Sequence, residues 1–138
     1  MVMIQKPRIQ VGAAVIEDQG RFLITQRESH VHLAGYWEFP GGKREEGETL
    51  VDCVQREVHE ELGIVISYPI PLRVLQHEYP DKIIELHFFR CSIIRGEPCS
   101  LGCADWRWVP PEGLTSYRFP PADEPVVAEL QRGNPSAT

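Results

Sequence analysis

Three carboxylates, Glu57, Glu60 and Glu61, stand at i, i+3 and i+4 in the run from Gly42 to Ile64, GKREEGETLVDCVQREVHEELGI. On a helix they project from one side of adjacent turns. Like charges so placed repel, and the helix gains nothing from them unless something cationic sits between. Between Gly42 and Gly63 seven acids (Glu45, Glu46, Glu48, Asp52, Glu57, Glu60, Glu61) face three bases (Lys43, Arg44, Arg56), so most of the formal net charge of −6 is local.

The helix itself is readable from its ends. Thr49 is a natural N-cap, Asp52 three residues on approaches a capping box, and Gly63 suits the position after the C-cap. These signals predict a helix over about Leu50 to Leu62. At 100° per residue Leu50, Val51, Val54, Val58 and Leu62 form an apolar stripe, with Glu61 inside it and Glu57 at its edge. A solvated face accounts for Glu45, Glu46 and Glu60. It does not account for Glu61, because a carboxylate on the core side is costly unless paired or metal-bound.

The elements that must position this helix follow from alternation and turn residues. Arg8 to Glu17 reads as a strand, Asp18-Gln19-Gly20 as a turn and Arg21 to Gln26 as the return strand. Arg27 and a polar loop with His30 and His32 follow. Tyr36 to Phe39 is a short aromatic segment, and Pro40-Gly41-Gly42 reads as a loop whose glycines let backbone approach a ligand. Beyond the helix, Val65 to Tyr68 is a short strand, and Leu72 to Tyr79 and Ile83 to Ile94 form a hairpin around Pro80-Asp81-Lys82. Arg95 to Ala104 is a loop, Asp105 to Val109 a strand in which at least one of Trp106 and Trp108 belongs to the core, and a last helix spans about Glu124 to Leu130. Gly133 to Thr138 reads as a frayed tail. Strands around one central helix plus a terminal helix predict an α/β or α+β fold: an α/β/α sandwich with a central mixed sheet.

The 138 residues fit one domain with a real core. The first ten, MVMIQKPRIQ, do not resemble a signal peptide, and no apolar run approaches a membrane span, so a cytoplasmic protein that contacts no membrane is expected. Cys53, Cys91, Cys99 and Cys103 are expected as reduced thiols, and no His or second Cys pair completes a zinc site with Cys99 and Cys103. The acidic balance argues against a nucleic-acid polymer as partner. A monomer acting on a small molecule is expected.

Gly42, Glu48, Arg56, Glu57, Val58, Glu60, Glu61, Gly63 and Ile64 fill every fixed place of the pattern G-x5-E-x7-R-E-U-x-E-E-x-G-U, with U apolar. This run resembles the Nudix box. TQR at 25 to 27, WEFPGGK at 37 to 43, YPDK at 79 to 82 and FPPADEPVVAEL at 119 to 130 resemble the MutT-type subgroup, so the likeness covers nearly the whole chain. It implies a Nudix sandwich that hydrolyses a nucleoside triphosphate to the monophosphate and diphosphate with Mg²⁺, or Mn²⁺ in its place. It also implies oxidised guanine nucleotide, chiefly 8-oxo-dGTP, as the substrate removed before a polymerase uses it. Glu57, Glu60, Glu61 and the Gly41 carbonyl are then metal ligands, and Glu57 or Glu60 is the acceptor of the water proton. Arg56 orients the glutamates, and Glu48 steadies the loop. Arg27 is a phosphate ligand, His32 and the Glu38-Phe39-Pro40 backbone line the nucleotide, and Lys82 takes the place of a MutT arginine.

Asp123 stands where the MutT-type pattern has a base-reading asparagine. An amide both donates and accepts, matching the O6 acceptor and N7–H donor of 8-oxoguanine, whereas an ionised carboxylate only accepts. It must be protonated to face O6, or read a donor such as the cytosine amine. This keeps open the same chemistry on 5-substituted or oxidised dCTP or CTP. Capping of the last helix is a third account of the residue. The loop from Gly96 to Asp105 lacks a further metal-site acid of the pattern, for which Asp105 or Glu97 is a candidate substitute. A non-catalytic nucleotide-binding Nudix module is the remaining alternative, although every box glutamate stands.

Overall fold

The longest strand, β1 (Arg8–Asp18), is the spine of the sheet. In the computed structural model, which describes residues 5–133, it turns through Gln19 and Gly20 into β2 (Arg21–Gln26). Both turn residues have positive φ, 51° and 76°, as the tightest hairpins require. Asp18 belongs to the strand and pairs with Arg21.

β1 and β2 pair only at this end and then diverge. The segment from Trp37 to Lys43 bridges them. Its first part, β3 (Trp37–Glu38), pairs with Thr25 and Gln26 of β2. Its last part, β4 (Gly41–Lys43), pairs with Val11 to Ala13 of β1, while the Ala14 amide donates to the Pro40 carbonyl at 2.7 Å. The expected glycine loop is in part a short strand, and Gly41 and Gly42 still line a cleft. A Cβ on Gly41 would fall 2.0 Å from the Gly12 carbonyl oxygen, and one on Gly42 2.4 Å from the Glu57 carboxylate. The missing side chains let the Gly12 carbonyl and the Glu57 carboxylate approach.

Helix α1 (Leu50–Leu62) has the expected bounds. Thr49 Oγ1 accepts from the Asp52 amide at 3.1 Å, and Gly63, at φ 71°, ends the helix with its amide on the His59 carbonyl. Cys53, Val54, Val58 and Leu62 are buried, with Leu50 and Val51 packed beside them. Burying each of the larger ones contributes roughly 1.5–3 kcal/mol, which fixes the roll of the helix and therefore the heading of Glu57 and Glu61.

The strand expected over Ile83 to Ile94 is broken. β5 (Val65–Ile66) is followed by β6 (Ile70–Glu78) and β7 (Ile83–Cys91), and then by a separate β8 (Ile93–Arg95). At the break the Ser92 amide donates to Ser67 Oγ at 3.0 Å and the Ser67 amide to the Ser92 carbonyl at 2.8 Å. This exchange draws β8 off the main sheet and onto β5, and it limits β5 to two residues. β7 runs parallel to β1 from Arg8 to Ile16, β6 is antiparallel to β7, and β9 (Asp105–Val109) is antiparallel to β2. The main sheet is ordered β3-β2-β1-β7-β6, with β4 also on β1 and β9 also on β2.

The sheet is mixed and has a core on each face. On one, Ala14, Ile16, Leu23, Phe89 and Cys103 meet α1, with both Trp106 and Trp108 packed against them. On the other, Val15, Ile24, Phe39 and Phe88 meet Val126, Val127 and Leu130 of α2 (Glu124–Gln131). The expected α/β/α sandwich is the fold. Of the expected tail, residues 134–138 lie outside the described residues. All four cysteines are free thiols, and among the described residues no helix is long and apolar enough to cross a membrane.

Candidate active site

Arg56 is the hub of the acidic helix. Its Nε and Nη2 take the two Glu48 oxygens at 3.0 and 2.7 Å, a fork that only guanidinium offers a carboxylate. Nη1 donates to Glu57 Oε1 at 2.9 Å and reaches Glu60 at 3.3 Å, and Nη2 also donates to the Lys43 carbonyl at 3.2 Å. Glu48 in turn accepts the Glu45 amide at 2.8 Å. Arg56 and that amide hold the Glu48 carboxyl down at about 2. Glu48 thus ties the loop before the helix to Arg56, and Arg56 orients Glu57 and Glu60.

Glu61 has no such partner. It points into a cleft of about 450 Å³, where burial, and then the charges of Glu38 and Glu57, push its carboxyl up to about 9 against the pull of the Gly41 amide. Burial also raises Glu57, although Arg56 opposes it. Arg27, which follows the end of β2, lines the same cleft. Its Nε and Nη2 meet Glu38 Oε1 at 3.1 and 3.0 Å, and Nη1 donates to the His32 carbonyl at 2.9 Å. The bridging segment presents Glu38, Phe39 and Gly41 to the same cleft, and His32 lines its rim. Pro40 is buried behind it, its carbonyl committed to β1.

Asp123 also lines this cleft, only 9 % exposed. It makes no side-chain capping bond to α2 and sits at the end of a short 3₁₀ turn, Pro121–Asp123. The capping account of this residue therefore fails. Burial, and then the Glu38 charge, lift its carboxyl to about 7, with Arg27 pulling the other way.

The structure does not bring every candidate into the cleft. Lys82 is not among the lining residues; its Nζ stands 5.6 Å over the ring of Tyr79, which does line the cleft. Glu60 is exposed on the Arg56 side. Glu97 lines a separate cavity with Glu17 and Trp106, and Asp105 pairs with Arg107 and accepts the Trp106 amide, so neither acid joins Glu61. Sequence reasoning missed the apolar floor, Val11, Ala13, Ile84 and Leu86, together with Tyr79 and Cys103. The floor had a signal in the period of two along β1 and β7, where Val11 and Leu86 stand side by side.

Glu61, Glu57, Glu60 and the Gly41 carbonyl supply only hard oxygen donors, the set that suits Mg²⁺ or Mn²⁺. Among the described residues no three His, Cys, Asp or Glu side chains form a ready-made cage, because Arg56 holds Glu57 and Glu60. The Glu61 carboxyl, desolvated and held by the Gly41 amide without a side-chain partner, is nonetheless a group that a divalent cation would satisfy, so the residues present fit such an ion.

The model of the family described as NUDIX domain matches residues 11–129. The chain is 37% identical over 126 residues to the 8-oxo-dGTP diphosphatase of Escherichia coli K12, covering 91% of this chain and 98% of that one. It is 35% identical over 119 residues to the CTP pyrophosphohydrolase of the same organism, covering 86% and 88%. The solution structure of the E. coli ORF135 protein superposes with a TM-score of 0.81 at 32% identity, over 96% of each chain. A MutT protein from Methanosarcina mazei reaches the same score at 27% identity, over 96% of this chain and 99% of its own. Matched along nearly its whole length in both sequence and fold, the chain belongs to the Nudix hydrolases, which generally use divalent metal ions.

Proposed function

We propose that the protein hydrolyses nucleoside triphosphates to the monophosphate and diphosphate, with 8-oxo-dGTP as its substrate. The observation that carries this reading is the cleft itself, which Glu61 of the acidic helix, Arg27, Glu38 and the buried Asp123 line together. Arg27 binds a phosphate, since guanidinium offers the paired donors that a phosphate edge accepts. A divalent cation, Mg²⁺ or Mn²⁺, would be held by Glu57, Glu60, Glu61 and the Gly41 carbonyl; it would offset the substrate's charge in this acidic cleft and lower the pKa of a bound water. Arg56 keeps Glu57 and Glu60 aimed, and one of them accepts the water proton.

The Asp123 carboxyl, lifted to about 7, is available in both its neutral and its ionised form near neutral pH. The neutral form donates to O6 and still accepts from N7–H, as an amide does. The ionised form favours the cytosine amine, and this residue, with the CTP-hydrolysing relative, supports a second reading in which cytosine nucleotides are also turned over. The enzyme works as a cytoplasmic monomer on free nucleotide. Diphosphate release from 8-oxo-dGTP, dGTP, dCTP, 5-methyl-dCTP and CTP with Mg²⁺ is the test. A kcat/KM highest for 8-oxo-dGTP is expected; a tenfold preference for a cytosine nucleotide overturns the purine assignment, and no release from any of them overturns the hydrolase reading.

A further inference from the structure

Every nitrogen of the Arg27 guanidinium is engaged within the protein. Nε and Nη2 converge on Glu38 Oε1, at 3.1 and 3.0 Å, and Nη1 holds the His32 carbonyl at 2.9 Å. Glu38 is not free to drift, because β3 pins it opposite Thr25 of β2. Its side chain and that of Arg27 are both largely shielded, at 26% and 30% exposure. A carboxylate oxygen that accepts the Nε–H of Arg27 and ion-pairs with its Nη2 stands where a phosphate oxygen would meet the same edge.

We propose that Glu38 is a positioning and selectivity residue: its carboxylate occupies the anion-binding edge of Arg27 in the free enzyme, and a nucleotide phosphate gains Arg27 only by displacing it. The inference rests on the reading of Arg27 as a phosphate ligand given above. Held this way, a long and rotamer-rich side chain is already aimed into the cleft, so less entropy is lost when the substrate arrives. The contact also sets a threshold. A triphosphate, with its larger charge, outcompetes the carboxylate. Once the diphosphate has gone, the monophosphate competes less well, Glu38 recovers Arg27, and product leaves.

The test is a cycle of wild type, Glu38→Gln, Arg27→Ala and the double variant, reading nucleoside monophosphate affinity by calorimetry alongside KM and kcat. Glutamine keeps the size and the acceptor oxygen and removes the charge. Monophosphate binding roughly tenfold tighter in Glu38→Gln is expected, the scale of one charge-assisted pair, with a several-fold lower KM for triphosphate. In the Arg27→Ala background the same change is expected to add less than twofold. Unchanged or weaker monophosphate binding in a folded Glu38→Gln protein overturns the proposal, as does an equal gain without Arg27, or no monophosphate binding to either protein. Should Glu38→Gln not fold, Glu38→Asp serves: the shorter arm loses Arg27, so monophosphate binds more tightly, and an unaltered affinity overturns the idea. The calorimetry needs no turnover. A wild type that releases no diphosphate defeats the hydrolase reading, while monophosphate affinity still decides the role of Glu38.

Discussion

Replacing Asp123 with asparagine separates protonation from base recognition. The carboxyl titrates near 7 instead of its ordinary 3.8, chiefly through burial. Glu38 of β3 and Arg27 at the end of β2 act on it, and Glu61 of α1 and Tyr79 of the β6–β7 turn line the same cleft. A folded-state pKa above the unfolded one means that the folded protein binds more protons, so stability falls as pH rises from about 4 to about 7. Above that window the penalty is fully present, at most roughly 4 kcal/mol. Asp123→Asn removes it. The variant is expected to be more stable than wild type at pH 8 by up to that amount and equal to it near pH 4, in denaturant titrations without metal. The same titration governs selectivity. In wild type the kcat/KM ratio of 8-oxo-dGTP to CTP is expected to fall roughly ten- to a hundredfold between pH 6 and 9, as a donor to O6 becomes an unpaired anion facing it. Asp123→Asn is expected to hold that ratio flat and high. A wild-type ratio that does not change with pH, or one that changes equally in the variant, refutes the assignment of Asp123 to the base.

Glu61→Gln is expected to cost at least a hundredfold in turnover while leaving the fold intact. Without metal at pH 8 the variant should melt above wild type, because the raised Glu61 carboxyl penalises the fold from about 4.5 up to about 9; added Mg²⁺ should raise the wild-type Tm and not that of the variant. Arg56→Lys is expected to lose roughly 2 kcal/mol in denaturant unfolding, since lysine cannot fork onto Glu48 while reaching Glu57. Gly41→Ala meets backbone at 2.0 Å and should destabilise by roughly 3 kcal/mol or more, whereas Gly42→Ala meets first the Glu57 carboxylate, the end of a side chain, and should lose activity with a smaller fall in Tm. Gln19→Asn is expected to gain about 0.5 kcal/mol, because asparagine accepts the positive φ of the turn more readily.

Local signals were legible because they act over a few residues. The bounds of α1 follow from Thr49 and Gly63, and the β1–β2 hairpin from its turn. The break at Ser92 was not legible, because its cause is Ser67, 25 residues away. The Lys82 carry-over depended on a turn whose side chain the structure leaves over Tyr79, outside the cleft lining.

The sequence by itself determined the chemistry on α1: the helical spacing of Glu57, Glu60 and Glu61 and the position of Glu61 within the apolar stripe follow from residue order and the helical period. Tertiary structure decided what those groups face. Divergence of β1 and β2 lets the Trp37–Lys43 segment cross between them, setting Glu38 against Arg27 and packing Gly42 onto Glu57. The 3₁₀ turn before α2 then buries Asp123 in the same cleft, some sixty residues from the acidic helix. Desolvation and the charges met there are properties of that assembled cleft, and they set the protonation of Asp123, on which the choice of base turns.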